Sequence, residues 1–277
     1  MPSRWEVLLA GPADAAIPLT APMAIVSDWL DDRDQSANRP HAERPRSGHY
    51  AQMRPWSCGP IHTQPAARDG HQPLLSLQVR LLDDSLADRL AAAARPGRRV
   101  RLGAREFAIW SEPAMLQQAC WQDLRSWTGT RAWQVRFVTP TCFRRGRRTS
   151  PWPAPDSLAR SLTARWALLD PDTAPPAPGH GTGSVWVSDI DGHSDVHNLR
   201  RNARHGREPR RQDELVSGFT GRIRYVCDQG TDGEAAAFDA VLALAAFAGA
   251  GSHTTYGFGV IEPEPTWQPP TAKTLRP

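Results

Sequence analysis

Gly249-Ala-Gly-Ser-His-Thr-Thr-Tyr-Gly-Phe-Gly259 reads G-x-G-x-x-x-x-x-G-x-G, and its setting decides the fold. It directly follows an apolar, alanine-rich run from Glu234 to Ala248 and directly precedes a short β-like run, Phe258 to Ile261. Glycines between a helix C-terminus and a strand let one backbone approach another, because no Cβ stands in the way. Their N–H groups can also form a nest for phosphate oxygens. A dinucleotide fingerprint needs strand, glycines and helix in that order, and here the order is reversed. A Walker loop needs G-K-[ST] after its glycines, and none is present. The plainer alternative is a left-handed helix cap followed by a bulged strand. Two G-x-G pairs so close together favour a dedicated loop instead.

Outward from this loop, the second half reads as a repeated pattern. Trp133 to Val138 is an alternating strand, and Pro155 to Leu169 is an amphipathic helix with Leu158, Leu162 and Trp166 on one face. Ser184 to Ile190 is a strand, followed by an arginine-rich segment to Arg211. Phe219 to Val226 is the next strand, Glu234 to Ala248 the second helix, and Phe258 to Ile261 the last strand.

The first half is more broken. Trp5 to Leu9 suits a first strand, and Leu19 to Leu30 a helix with Pro22 in its first turn. Asp31 to Met53 is polar, carries His41 and His49, and reads as a loop. Arg54 to Pro60 reads as a turn-rich connection, with a further loop holding His62 and His71. Leu74 to Leu82 is a strand, Ser85 to Ala94 a helix, Val100 to Leu102 with Glu106 to Trp110 a hairpin, and Met115 to Leu124 one more strand. Both halves then follow the split βαβ order βαββαβ. The expected fold is α+β: two tandem ferredoxin-like domains, residues 1–128 and 129–265, with the boundary near Ser126 to Arg131 and a tail at 266–277.

Length and composition agree with two domains of ordinary size. The formal charge is only +4, but the positive charge is almost all arginine, with Lys273 the one lysine. Arginine suits bidentate contact with phosphate. The arginines cluster at Arg144, Arg145, Arg147 and Arg148, and again at Arg200, Arg201, Arg204, Arg207, Arg210 and Arg211. Such clusters point to a polyanion such as nucleic acid. Several of the eleven tryptophans adjoin arginines, as in Arg54-Pro-Trp56 and Arg165-Trp166. That pairing serves packing, or a platform for unpaired bases. Cys58, Cys120, Cys142 and Cys227 are far apart with no C-x-x-C pair, as expected of reduced thiols rather than a zinc site. No stretch approaches the length of a membrane span, so a cytoplasmic protein with no membrane partner is expected.

Phe219-Thr-Gly-Arg-Ile-Arg-Tyr225, the alanine-rich helix and the glycine loop together resemble the C-terminal signature of CRISPR-associated endoribonucleases that cut repeat RNA into guide RNAs. Thr139 to Phe143, Pro151 to Pro155 and Ser157 to Leu162 are similar to that family's second-domain start. His49 followed by Arg54-Pro-Trp-Ser57 is similar to its histidine, basic, aromatic, serine stretch. The resemblance implies repeat precursor RNA and mature guide RNA as partners, with other subunits of a CRISPR effector complex as further ones, and no cofactor.

It also implies metal-independent cleavage by 2′-hydroxyl attack, leaving a 2′,3′-cyclic phosphate. No set of carboxylates spaced for two metals stands out in the chain. Histidine titrates near neutral pH and can act as base or acid. His49 is therefore the candidate, with His41 as its substitute. Relatives often place a lysine or tyrosine nearby; here Arg54 and Tyr50 stand there, and no lysine does. Arg54 can only stabilise charge, since arginine does not give up its proton. RNA contact is expected from both arginine clusters and from Gly249, Gly251, His253, Gly257 and Gly259 of the loop. Two other readings stay open. One is a non-catalytic guide-RNA-binding subunit. The other is a two-histidine phosphodiesterase through His253-Thr-Thr255, for which His62-Thr-Gln64 is an imperfect second motif.

Overall fold

The first sheet is built around β1 (Ser3–Ala10), which pairs antiparallel along its whole length with β3 (Leu74–Leu81) in this computed structural model. The structure describes residues 1–12, 17–31, 53–64, 73–146, 148–176, 184–199 and 215–264. β2 (Trp56–Thr63) lies outside β3, and β6 (Ala114–Gln118) pairs the start of β1 on its other edge. The order β2-β3-β1-β6 is that of a ferredoxin-like unit. A hairpin, β4 (Arg99–Leu102) with β5 (Arg105–Ile109), extends the sheet past the end of β1 at Leu9 and Ala10.

Two helices bury one face of this sheet. α1 (Ala21–Leu30) starts with Pro22 in its first turn, where a missing N–H costs nothing. It contributes Ile25, Val26, Trp29 and Leu30 to the core. α2 (Ser85–Ala93) adds Leu86 and Leu90. They pack on Val7 and Leu9 of β1 and on Leu75, Leu77, Val79 and Leu81 of β3.

The stretch from Arg54 to Pro60, expected as a turn-rich connection, instead opens β2, the second strand of the unit. Its prolines and glycine hid it. Trp56 and Cys58 are buried, and Pro60 falls where the β2–β3 register shifts, between Cys58 and Ile61, so no ladder bond is lost to it. His62 is therefore on a strand rather than in a loop. The last predicted strand is shorter than Met115 to Leu124 and is followed by a 3-10 turn, Asp123–Arg125.

The second sheet has the order β10-β11-β7-β12 and repeats the ferredoxin-like topology. β7 (Ala132–Thr141) is central, flanked by β11 (Leu215–Val226) and β12 (Ile261–Glu264). β10 (Trp186–Asn198) pairs β11 over its full length. β11 meets β7 only from Phe219 onward, so the far end of β10 and β11 continues as a two-stranded ribbon. A short hairpin, β8 (Phe143–Arg145) with β9 (Arg148–Ser150), precedes α3 (Pro155–Leu169). α3 keeps the bounds expected from its periodicity. α4 (Asp232–Ala248) begins with a capping box in which Thr231 and Glu234 satisfy each other's backbone N–H groups. Leu158, Leu162 and Trp166 of α3 and Phe238, Val241 and Leu244 of α4 close the core over Trp133, Val135 and Phe137. Among the described residues no helix is long and apolar enough to cross a membrane.

The two sheets meet at the C-terminal end of α4. Arg80, on β3 of the first sheet, donates from Nε to the Ala246 carbonyl at 3.1 Å. Arg165, on α3, donates to the carbonyls of Ala248 and Gly251, both at 2.8 Å. Both guanidinium groups are buried, and neither forms an ion pair with the described residues. Burial pushes each down to about 10, which leaves both charged at neutral pH. Their charge is met by the partial negative charge of the helix end and by carbonyls without an intrahelical partner. Arg165→Ala strands two buried carbonyls and opens a cavity. It should cost about 3 kcal/mol of stability, read as a lower urea midpoint with an unchanged slope.

Candidate functional site

Of the predicted catalytic group, His41, His49 and Tyr50 lie outside the described residues. Arg54 is described, and it is held on several sides. It pairs with Asp31, the residue that ends α1, and its Nη1 donates to Ser27 Oγ at 3.3 Å. Ser27 Oγ in turn hydrogen-bonds the Asp31 carboxylate. Trp56 donates from Nε1 to the other Asp31 oxygen at 3.0 Å, and its ring carries the Arg54 guanidinium 5.5 Å from its centre. Burial lowers the pKa of Arg54 from its ordinary value, offset in part by the nearby Tyr256 hydroxyl. The result is a fixed cation at the point where the chain leaves the histidine-bearing segment and enters β2.

The group facing it comes from the other sheet. The glycine loop leaves α4 at Gly249 and turns through a short 3-10 segment, Thr254–Tyr256, before β12. Gly249, Gly251, Gly257 and Gly259 all have left-handed φ, as does His253 at 61°. Two of the glycines are needed for close approach as well as for φ. A Cβ on Gly251 would lie 2.2 Å from the Cys142 carbonyl, and one on Gly257 would lie 2.8 Å from the Leu19 carbonyl of the first unit. The Thr255 carbonyl accepts from Cys58 Sγ on β2 at 3.0 Å. The loop therefore seats on the end of β2 and the start of α1.

The phosphate cradle suggested by the glycines is not formed by most of this loop. Ala250 donates to the Gly259 carbonyl, Gly251 to Ser161 Oγ, Ser252 to the Cys142 carbonyl and Gly259 to the Pro140 carbonyl. Gly249, Tyr256, Gly257 and Phe258 bond within the helix end and the loop, and Val260 donates to Thr139 Oγ1. Those N–H groups are spent on shape. The His253 ring lies edge-on to Tyr256 and Phe258, with centroids 5.9 and 6.2 Å apart, and His197 of β10 packs against Phe258 from another side.

The arginine clusters divide. Arg144, Arg145 and Arg148 are exposed on the β8–β9 hairpin, where Arg145 donates to Ser157 Oγ at 3.0 Å. Arg147, Arg200, Arg201, Arg204, Arg207, Arg210 and Arg211 lie outside the described residues; β10 and β11 flank the second group. The open face of the second sheet carries charges not singled out from the sequence. One cross-strand row is Asp191, Arg222, Arg136, Glu262, and the next is Asp189, Arg224, Gln134, Glu264. Arg136 pairs with Glu262 at 3.0 Å and Arg222 with Glu264 at 3.2 Å. Asp191 and Arg222 of the first row and the whole of the second line a groove of roughly 430 Å³. Among the described residues no three side chains converge in a way that could hold a metal ion.

Sequence reasoning missed Asp31, Ser27 and Tyr256. Asp31 was legible only as a residue ending a helix, and Tyr256 only as one letter of a glycine loop. Ser27 and Asp31 are one helical turn apart, but Arg54 and Trp56, which they hold, follow the whole histidine-bearing segment.

These features define an α+β protein of two tandem ferredoxin-like units joined through a glycine loop. Residues 135–261 match the family model of the CRISPR-associated endoribonuclease Cas6. A search of curated proteins finds no match. Among solved structures, a Cas6 product complex aligns with a TM-score of 0.66 at 22% identity, over 95% of this chain and 99% of that one. Thermus thermophilus Cas6 aligns at 0.58 and 20%, over 95% and 98%. A Cas6-related protein from Pyrococcus furiosus aligns at 0.54 and 14%, over 95% and 99%. The Cas6 family model thus matches within the second unit, and the solved structures share the fold of this chain.

Burial pushes the Cys58 and Cys142 thiols up to about 12, so both stay protonated and unreactive at pH 8. Cys120 is exposed. A disulfide reagent at pH 8 should label Cys120 in the native chain and reach Cys58 and Cys142 only in denaturant. Fast labelling of Cys58 would mean that the glycine loop does not cover it.

Proposed function

We propose that this chain is an endoribonuclease that cuts CRISPR repeat precursor RNA into guide RNA without a metal ion. The Cas6 family-model match over residues 135–261 supports the substrate class, as do the similar structures solved with a product and with a substrate mimic. The observation that carries the reading is the fixed Arg54 cation. It stands beside the segment bearing His41 and His49, and opposite a loop of the second unit.

In this reading the ribose 2′-oxygen attacks the adjacent phosphorus, and the P–O5′ bond breaks. The products are a 2′,3′-cyclic phosphate and a free 5′-hydroxyl. His49 takes the 2′-proton as general base, with His41 the alternative and Tyr50 beside it. Arg54 meets the added negative charge on the phosphorane; locked by Asp31, it needs no reorganisation at the moment of reaction. Arg144, Arg145, Arg147 and Arg148 grip the RNA backbone from one side and the Arg200 to Arg211 group from the other. The glycine loop bears on the RNA through His253, while Gly249, Gly251, Gly257 and Gly259 set its path. The domains assigned to these roles are residues 1–128 and 129–265. A non-catalytic guide-RNA-binding subunit is the second reading, favoured by the same exposed arginines.

Incubation with a repeat hairpin in EDTA should give one cut ending in a 2′,3′-cyclic phosphate, blocked by a 2′-deoxy at the cleavage position. His49→Ala should slow cutting by about 10²- to 10⁴-fold and leave hairpin affinity unchanged. Binding without any cut by the unaltered chain would sink the enzyme reading. Normal cutting by both His49→Ala and His41→Ala would sink the base assignment.

A further inference from the structure

The connection between the β8–β9 hairpin and α3 reads Pro151-Trp-Pro-Ala-Pro155, and it holds a large aromatic ring in solvent. Trp152 is 47% exposed and joins none of the apolar clusters of the described residues, whereas Trp29, Trp56, Trp133 and Trp166 are buried. Its backbone is nonetheless fixed on both sides. The Trp152 N–H donates to Ser150 Oγ at 3.2 Å, and the carbonyl of Pro153 accepts from the buried Tyr225 hydroxyl at 2.8 Å. Proline on either side narrows the backbone choices further. An exposed ring on a pinned backbone gives up little freedom when a partner stacks on it.

The surroundings supply positive charge. Arg144 and Arg148 stand exposed on the hairpin. Arg145 reaches from it to Ser157 Oγ in the first turn of α3 at 3.0 Å, so the hairpin and the helix start bracket the Trp152 segment. None of the three has a carboxylate partner among the described residues. Trp110, also exposed, has a different setting, because Arg98 and Arg99 next to its strand face Asp28 and Glu106. An exposed indole among guanidinium groups that lack carboxylates fits a ligand with both flat π-faces and regular negative charge, which is a single-stranded nucleic acid. A paired stem keeps its base faces in its own stack, so the base available to Trp152 is an unpaired one.

We infer that Trp152 is a specificity-determining residue whose ring stacks on an unpaired nucleotide flanking the stem of the repeat RNA, while Arg144 and Arg148 hold phosphates of the same strand. This rests on the RNA partner in the proposed function and not on cleavage, so it applies equally to a chain that binds without cutting. Every base has a π-face, so such a platform selects a single-stranded flank rather than a particular base.

Two repeat hairpins of equal length and phosphate count test this, one with ordinary single-stranded flanks and one with abasic flanks. The unaltered chain should bind the first about 10-fold more tightly. Trp152→Ala should remove that difference by weakening only the first. Trp152→Phe, which keeps a ring, should retain most of it, and Arg148→Ala should weaken both hairpins alike. Equal affinity of the unaltered chain for both, or equal weakening of both by Trp152→Ala, overturns the stacking role. No weakening of either by Trp152→Ala also overturns it and leaves the ring to a protein partner. If the unaltered chain binds neither hairpin, the RNA reading itself falls and this one with it. Should Trp152→Ala lower the melting temperature, Trp152→Leu, which keeps apolar bulk without a π-face, takes its place under the same criteria.

Discussion

One helix end holds this molecule in register. The carbonyls at the C-terminus of α4 are bonded by Arg80 from one sheet and by Arg165 from the other unit's first helix, both out of contact with water. A buried cation without a carboxylate is costly unless oriented dipoles replace its hydration. A helix terminus with unpaired carbonyls supplies those dipoles. Neither partner can leave alone without exposing an unmet charge or an unmet carbonyl. The junction of the two units is therefore a specific contact rather than a loose apolar one.

The glycine loop begins where that grip ends, and its path follows from the same constraint. Gly251 must pass the Cys142 carbonyl and Gly257 the Leu19 carbonyl, so the loop is pressed between β7, α3 and the first unit. Its N–H groups are used to hold that path. The His253 ring it carries packs edge-on against Tyr256 and Phe258. The candidate site arises because a first-unit cation, locked by Asp31, and a second-unit loop are brought together by contacts made elsewhere.

Arginine serves two opposite ends in this chain. Arg80 and Arg165 are buried and structural, whereas Arg144, Arg145 and Arg148 stand in solvent on a small hairpin. Composition alone cannot separate these uses, since both rely on the same planar fork of donors. Reading Arg165-Trp166 as packing or as a base platform left this choice open. The structure gives Trp166 to the core and Arg165 to a helix end.

Periodicity and glycine spacing determined much of the fold. The apolar stripe of α3, the alanine-rich α4, the alternation in β7 and β11 and the loop after α4 were legible because each depends on residues close together in the chain. β2 was not, because Pro55, Gly59 and Pro60 read as a turn wherever no neighbouring strand is known. Only the tertiary structure shows β3 pairing with it and the register shift that accommodates Pro60. The same holds for the site. Arg54 stood out by local pattern, whereas Asp31 under it, and the Thr255 carbonyl on Cys58, are contacts with residues far off in the chain. Such contacts are chosen by how two folded units dock, and no local pattern in the chain encodes them.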